Sequence, residues 1–153
     1  MRISLLLLCF MSAWLLSSCA KANDSSQISF DEVSVAIAGE NYEFEYAQTF
    51  EQRAQGLMNR RSLCNDCGML FRFSPPKQAS MWMKNTYIPL DVAFINKQGV
   101  ITDIKALQPH DLTSVGASGV VTYALEMNQG WFAAHDVSEG DTIKINPPSD
   151  NQD

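Results

Sequence analysis

Trp82-Met83-Lys84-Asn85-Thr86 sets an indole, an ammonium and a carboxamide side by side. In an extended segment, alternation sends Trp82 and Lys84 to one side and Met81 and Met83 to the other. An aromatic ring beside a cation and an amide has the composition of a small-molecule site. Trp82 would stack on a sugar or planar group, Lys84 would supply charge, and Asn85 would both donate and accept hydrogen bonds. The same residues also suit a structural role, with Trp82 plugging a core and Asn85-Thr86 shaping the turn before Pro89. Asp91 opens one apolar run and Glu126 closes another. Two carboxylates can perform acid–base chemistry when their environments separate their pKa values, although an acid at a strand end more often caps a loop or pairs with an arginine. Arg60 and Arg72 are the candidate partners for an anion. The expected ligand-binding set is therefore Trp82, Lys84, Asn85, Asp91, Arg60, Arg72 and Glu126, with catalysis left open.

Cys64-Asn65-Asp66-Cys67 admits three chemistries. In an oxidising compartment the pair closes as a local disulfide. A redox dithiol gains its low pKa at a helix N-terminus, whereas here a helical segment precedes the motif and a strand follows it. Two thiolates with Met58, Met69, Met81 and Met83 would suit Cu(I), but methionine at core spacing is commonly filling. The leading expectation is a Cys64–Cys67 disulfide, with no metal and no cofactor. His110-Asp111 and His135-Asp136 are chain neighbours and do not by that make a dyad. No nucleophile elbow, phosphate loop or zinc-protease helix is present in the sequence.

The N-terminus indicates where such a site would work. Arg2 precedes a nearly uninterrupted apolar run, Ile3 to Leu16, and then Ser17-Ser18-Cys19. A membrane-spanning helix needs about 20 apolar residues, and this run is shorter. The pattern resembles a bacterial lipoprotein signal, which implies removal of residues 1–18 and acylation of Cys19, a firm membrane anchor. Ordinary secretory cleavage after Ala20-Lys21-Ala22 is the alternative, and both export the chain. Ala20 behind Cys19 suits outer-membrane sorting, facing the periplasm. Residues 19–29 are small and polar, a tether; 30–147 is the expected domain, and 148–153 a polar tail. The 17 acidic against 11 basic residues argue against a nucleic-acid partner. The bases concentrate, however, at Arg53, Arg60, Arg61, Arg72, Lys77 and Lys84, which suits either a balance of acidic neighbours in the fold or a basic face for an anionic ligand, a lipid surface or a protein partner.

Positioning these residues falls to short strands. Glu32–Ile37 and Tyr42–Tyr46 alternate around Gly39-Glu40-Asn41, the pattern of a hairpin. Thr49-Phe50-Glu51-Gln52 has the form of a capping box, so a short helix runs to Leu57 or Met58, weakened by Gly56. Gly68–Phe73 reads as a strand stopped at Pro75-Pro76, and Ala79–Met83 as another. Leu90–Ile95 and Val100–Ala106 flank an Asn96-Lys97-Gln98-Gly99 turn. After a loop, Val120–Met127 is a strong strand, Asn128 caps a short helix to His135, and Thr142–Asn146 closes the chain. This predicts a mainly β, single-domain antiparallel sandwich or barrel of jelly-roll type with two short helices.

Gly56-Leu57-Met58 with Arg60, Gly68-Met69-Leu70-Phe71, Trp82-Met83-Lys84-Asn85-Thr86, Pro89-Leu90-Asp91, Phe94, Leu125-Glu126, Gly130 and Gly140-Asp141 follow one another in order. Together they resemble the domain of unknown function 192 family over about residues 33–146. The resemblance implies a jelly-roll-type β-sandwich and no settled activity. The Cys64–Cys67 motif departs from the family's usual pattern. The reading that follows is a lipid-anchored envelope domain that binds a small or anionic ligand; a copper or redox protein and a protein-interaction module are the alternatives.

Overall fold

The structure, a computed structural model, describes residues 28–146. The expected leader, Cys19, nearly all of the tether, Pro147 and the polar tail lie outside the described residues. Among the described residues no helix is long and apolar enough to cross a membrane.

Among the described residues, nine strands and two short helices follow one another: β1 (Asp31–Ile37), β2 (Glu40–Ala47), α1 (Phe50–Gln55), β3 (Gly68–Lys77), β4 (Ser80–Met81), β5 (Leu90–Ile95), β6 (Ile101–Leu107), β7 (Val115–Gly116), β8 (Val121–Asn128), α2 (Trp131–Ala134) and β9 (Lys144–Asn146). Seven strands form one sheet in the order β6-β5-β8-β3-β2-β1-β9, and β4 pairs with β7. The sheet curls as a half-barrel. Its two edges approach where Val100 bridges Thr142 and the Ile143 N–H donates to the Gly99 carbonyl at 2.9 Å. The mainly β, single-domain class with two short helices is thus what the chain adopts. One pairing runs the other way from an antiparallel sheet: β2 and β3 are parallel, with Tyr46 beside Leu70. A parallel neighbour requires a crossover, and residues 48–67, with α1 and the cysteine loop, are that crossover.

Both faces of the sheet are covered. Val33, Val35, Phe44, Leu70, Leu125 and Met127 belong to one apolar cluster, capped by Trp131 and Phe132 of α2. Met69, Phe71, Phe73, Leu90, Val92 and Phe94 belong to a second, overlaid by Leu57, Met81, Met83 and Ile88. Strands buried on both sides lose the apolar–polar alternation of a half-wet sheet, which is why β5 and β8 read as continuous apolar runs.

Three boundaries differ from expectation. β3 continues through Pro75-Pro76 to Lys77, because the register with β8 shifts between Arg72 and Lys77 and no ladder N–H is required of the prolines there. Ala79–Met83 contributes only the two-residue β4, yet Met81 and Met83 are buried and Trp82 and Lys84 exposed, as alternation requires. The second helix begins at Gly130, in the left-handed region at φ +87°, rather than at Asn128, whose side chain instead donates to the Cys64 carbonyl at 2.7 Å.

Gly68 marks the tightest approach between β3 and β8. A Cβ there would lie 2.6 Å from the Glu126 carbonyl oxygen and would also strike the Met127 sulfur. Backbone cannot yield as a flexible side chain does, so Gly68→Ala is expected to cost about 2 kcal/mol or more. Denaturant unfolding checks it; a change under about 0.5 kcal/mol would mean that the strands separate freely.

Candidate functional site

The capping box forms in full. The Thr49 hydroxyl accepts from the Gln52 N–H at 3.1 Å, and the Gln52 carboxamide oxygen accepts from the Thr49 N–H at 3.0 Å. This fixes the entry of a helix of only six residues, too short to persist without capping and packing. Gly56 ends it at φ +47°, and a Cβ there would meet the Phe71 ring at 3.3 Å. The chain after α1 therefore lies directly on the sheet. Arg53 ties α1 down from the other side, donating to the Gln48 carbonyl and, at 3.1 Å, to the Arg72 carbonyl.

Between α1 and the β4 segment lies a cleft of about 200 Å³. Phe71, Phe73, Leu57 and Met81 supply apolar walls, while Phe50 and Trp82, 74% and 52% exposed, stand at its rim. Arg53 and Lys77 bring positive charge, and the Lys77 ammonium rests over the Phe73 ring at 5.1 Å. Thr86 and Glu126 are the buried polar residues of the lining.

Glu126 sets the chemistry of the cleft. It lies on β8 between Met69 of β3 and Val92 of β5, which puts its carboxyl in an apolar layer. It is 4% exposed, and among the described residues no hydrogen bond or ion pair reaches it. Burial alone pushes its pKa from 4.5 up to about 8. Asp103 shows the contrast. It is 5% exposed, but it accepts from the Ser118 N–H, the Ser118 hydroxyl and the Thr102 hydroxyl, and Lys105 lies 3.2 Å away. Burial raises the Asp103 pKa, and these donors more than reverse that, holding it below the usual value. Asp103 is a satisfied structural acid. Among the described residues the Glu126 side chain has no such donors.

Of the residues expected from sequence, Trp82 and Glu126 meet in the cleft. Lys84 stands beside it, its ammonium 5.5 Å from the Trp82 ring. Asn85 acts through its main chain: at φ +54° its carbonyl accepts from the Asn59 N–H at 2.8 Å, joining the loop after α1 to the loop before β5. Asp91 falls on the opposite sheet face from Glu126 and accepts from the Gly130 N–H at 2.7 Å, so the two carboxylates do not form a pair. Arg60 is engaged by Glu45 at 2.6 Å. Arg72 alternates with Phe71 and Phe73, so its side chain leaves the sheet away from the cleft. The cations that line the cleft, Arg53 and Lys77, belong to the basic stretch of the sequence but not to the expected ligand-binding set, and neither does Phe50. The usable signal was Phe50 and Arg53 three apart behind an N-cap, which places both on one face of a short helix.

Cys64 and Cys67 are joined by a disulfide, with Cα atoms 5.0 Å apart. The thiols of a Cu(I) set are thus bound to each other, and Met69, Met81 and Met83 are core side chains. Among the described residues no three His, Cys, Asp or Glu side chains are grouped to hold a metal. Asp66, inside the disulfide loop, accepts from the Trp131 indole at 3.0 Å and so ties the loop to α2.

Residues 33–145 match the domain of unknown function 192, described as an uncharacterized ACR. The chain belongs to this family. Among solved structures, this chain is similar in architecture to a protein from Sinorhizobium meliloti 1021 described as a candidate transcription regulator. That protein is 37% identical, with a TM-score of 0.73 over 78% of this chain and 97% of its own. A protein of unknown function from Novosphingobium aromaticivorans DSM 12444 is similar at 29% identity and TM-score 0.69, over 88% of this chain and 99% of its own. No curated protein matches.

A folded carboxyl with a raised pKa keeps a proton that the unfolded chain releases. Stability therefore falls as pH rises from about 4.5 to about 8, and the loss is complete above that window. At 1.36 kcal/mol per unit the full loss is about 5 kcal/mol. Glu126→Gln, of the same shape but without charge, is expected to flatten unfolding free energy over this range and to be the more stable protein near pH 8. Parallel pH curves for the two proteins would show that the carboxyl is solvated.

Proposed function

We propose that this domain of unknown function 192 protein is an exported, lipid-anchored envelope protein that binds a small ligand in the cleft between α1 and Trp82. The observation that carries the binding reading is the Glu126 carboxyl, buried and without a partner at a cleft wall. Leaving such a group unsatisfied costs about 1–3 kcal/mol, which a ligand that hydrogen-bonds to it recovers. The exposed rings of Phe50 and Trp82 support the same reading, since large aromatics left in water at a cleft mouth are sites of stacking. For export and acylation the support is the sequence pattern ending in Cys19. The closed Cys64–Cys67 pair is in keeping with an oxidising compartment.

Against DNA binding by this chain, the helices among the described residues, six and four residues long, are too short to enter a DNA groove as recognition helices, and the chain's net charge is −6.

Two experiments test the proposal. A palmitate analogue fed to cells is expected to label the protein, and Cys19→Ser to abolish the label and release the chain from membranes; labelling that survives Cys19→Ser would remove the anchor reading. Small organic molecules screened by NMR are expected to shift the signals of Phe50, Lys77 and Trp82, with Trp82→Ala weakening those hits about tenfold, or 1.4 kcal/mol. Hits indifferent to Trp82→Ala would place the site elsewhere.

A further inference from the structure

We infer that the ligand is a compact organic monoanion, about one ring in bulk, with its charged end at Arg53 and Lys77 and an uncharged hydrogen-bond acceptor at its inner end meeting Glu126. This deepens the cleft reading and rests on it.

Size comes first. A cavity of about 150 Å³ lined by apolar side chains accepts benzene. The cleft measures about 200 Å³, room for one ring and its substituents. Its polarity then runs in one direction. Cations stand at Arg53 and Lys77, apolar walls at Leu57, Phe71 and Met81, and the carboxyl of Glu126 lies in the apolar layer.

The groups around Glu126 decide which end of a ligand it meets. Met69 of β3 and Val92 of β5 face it without charge, and Thr86 brings only a hydroxyl. The other titratable residues of the lining are Arg53 from α1 and Lys77 from the end of β3. Both attract an anion and repel an ammonium. A second negative charge at the inner end would meet an apolar layer and an acid. With its pKa near 8, Glu126 is protonated at neutral pH and donates a hydrogen bond, which calls for a carbonyl or ether oxygen, or a ring nitrogen.

The test is calorimetric titration of the full chain with 4-acetylbenzoate and 4-isopropylbenzoate. The two carry the same charge and nearly the same bulk and differ chiefly in the carbonyl. The ketone is expected to bind about tenfold more tightly near pH 6.5. That preference should vanish near pH 9.5, where the carboxylate can only accept, and the isopropyl probe corrects for any change elsewhere in the cleft. Glu126→Gln, which keeps an N–H donor, should retain the preference at both pH values, Glu126→Leu should lose it, and Lys77→Met should weaken both probes. Equal affinities near pH 6.5 would overturn the inference while leaving the cleft reading in place, because both probes would still bind. Tighter binding of benzylamine than of either acid would also overturn it. If no probe binds, or none perturbs the cleft residues, both readings fall.

Discussion

From Ala124 to Met127 every β8 side chain is buried in one of two layers, because β8 sits between β5 and β3 and the sheet is covered on both faces. That constraint leaves no wet side for an acid in this strand. Glu126 is consequently desolvated, and its raised pKa follows from burial rather than from a neighbouring charge. A buried acid without partners is destabilising at neutral pH and above, and a protein that retains one at a cleft carries an uncompensated polar group in an otherwise apolar core.

The rest of the cleft is assembled around that point by two excursions from the sheet. The parallel pairing of β2 with β3 demands a long crossover, and α1 occupies its beginning. The capping box and the Arg53 bonds to two carbonyls hold this helix beside the second apolar cluster, which Leu57, just after it, enters. The other excursion begins where β3 slips register at Pro75-Pro76 and swings Lys77 and Trp82 over the same face. β4 pairs with β7, and the Ala117 N–H donates to the Ala79 carbonyl at 2.9 Å, so this flap is tethered to the loop that Asp103 organises through Ser118. A polar network that is fully satisfied thus supports a site whose central carboxyl is not.

Much of the fold was legible. The hairpin of β1 and β2, the capping box, the span of β5 and the alternation of Met81, Trp82, Met83 and Lys84 follow from local rules of period, turn chemistry and side-chain size. The site was legible only in part. Trp82 and Glu126 stand out as residue types in unusual company, whereas Arg60, Arg72 and Asp91 stand out equally and serve elsewhere, in an ion pair, on the far side of a strand, and at the entrance of α2. A sequence shows that a charged residue is present without showing which face of a two-sided strand it occupies, since flanking residues are apolar on both sides. A one-residue change of phase exchanges the faces, and Asp91 and Glu126 are separated in this way.

By itself the sequence determined the mainly β class, most strand positions, the membership of the domain of unknown function 192 family and the presence of one word built on Trp82 and of an acid in each of two apolar strands. These are local properties, set by the period and chemistry of neighbouring residues. Only the tertiary structure decided that β2 and β3 run parallel, that α1 is thereby laid over the sheet, and that Phe50, Arg53, Lys77, Trp82 and Glu126 share one cleft. Strand direction and register depend on contacts between residues far apart in the chain, and no short stretch of sequence carries that information.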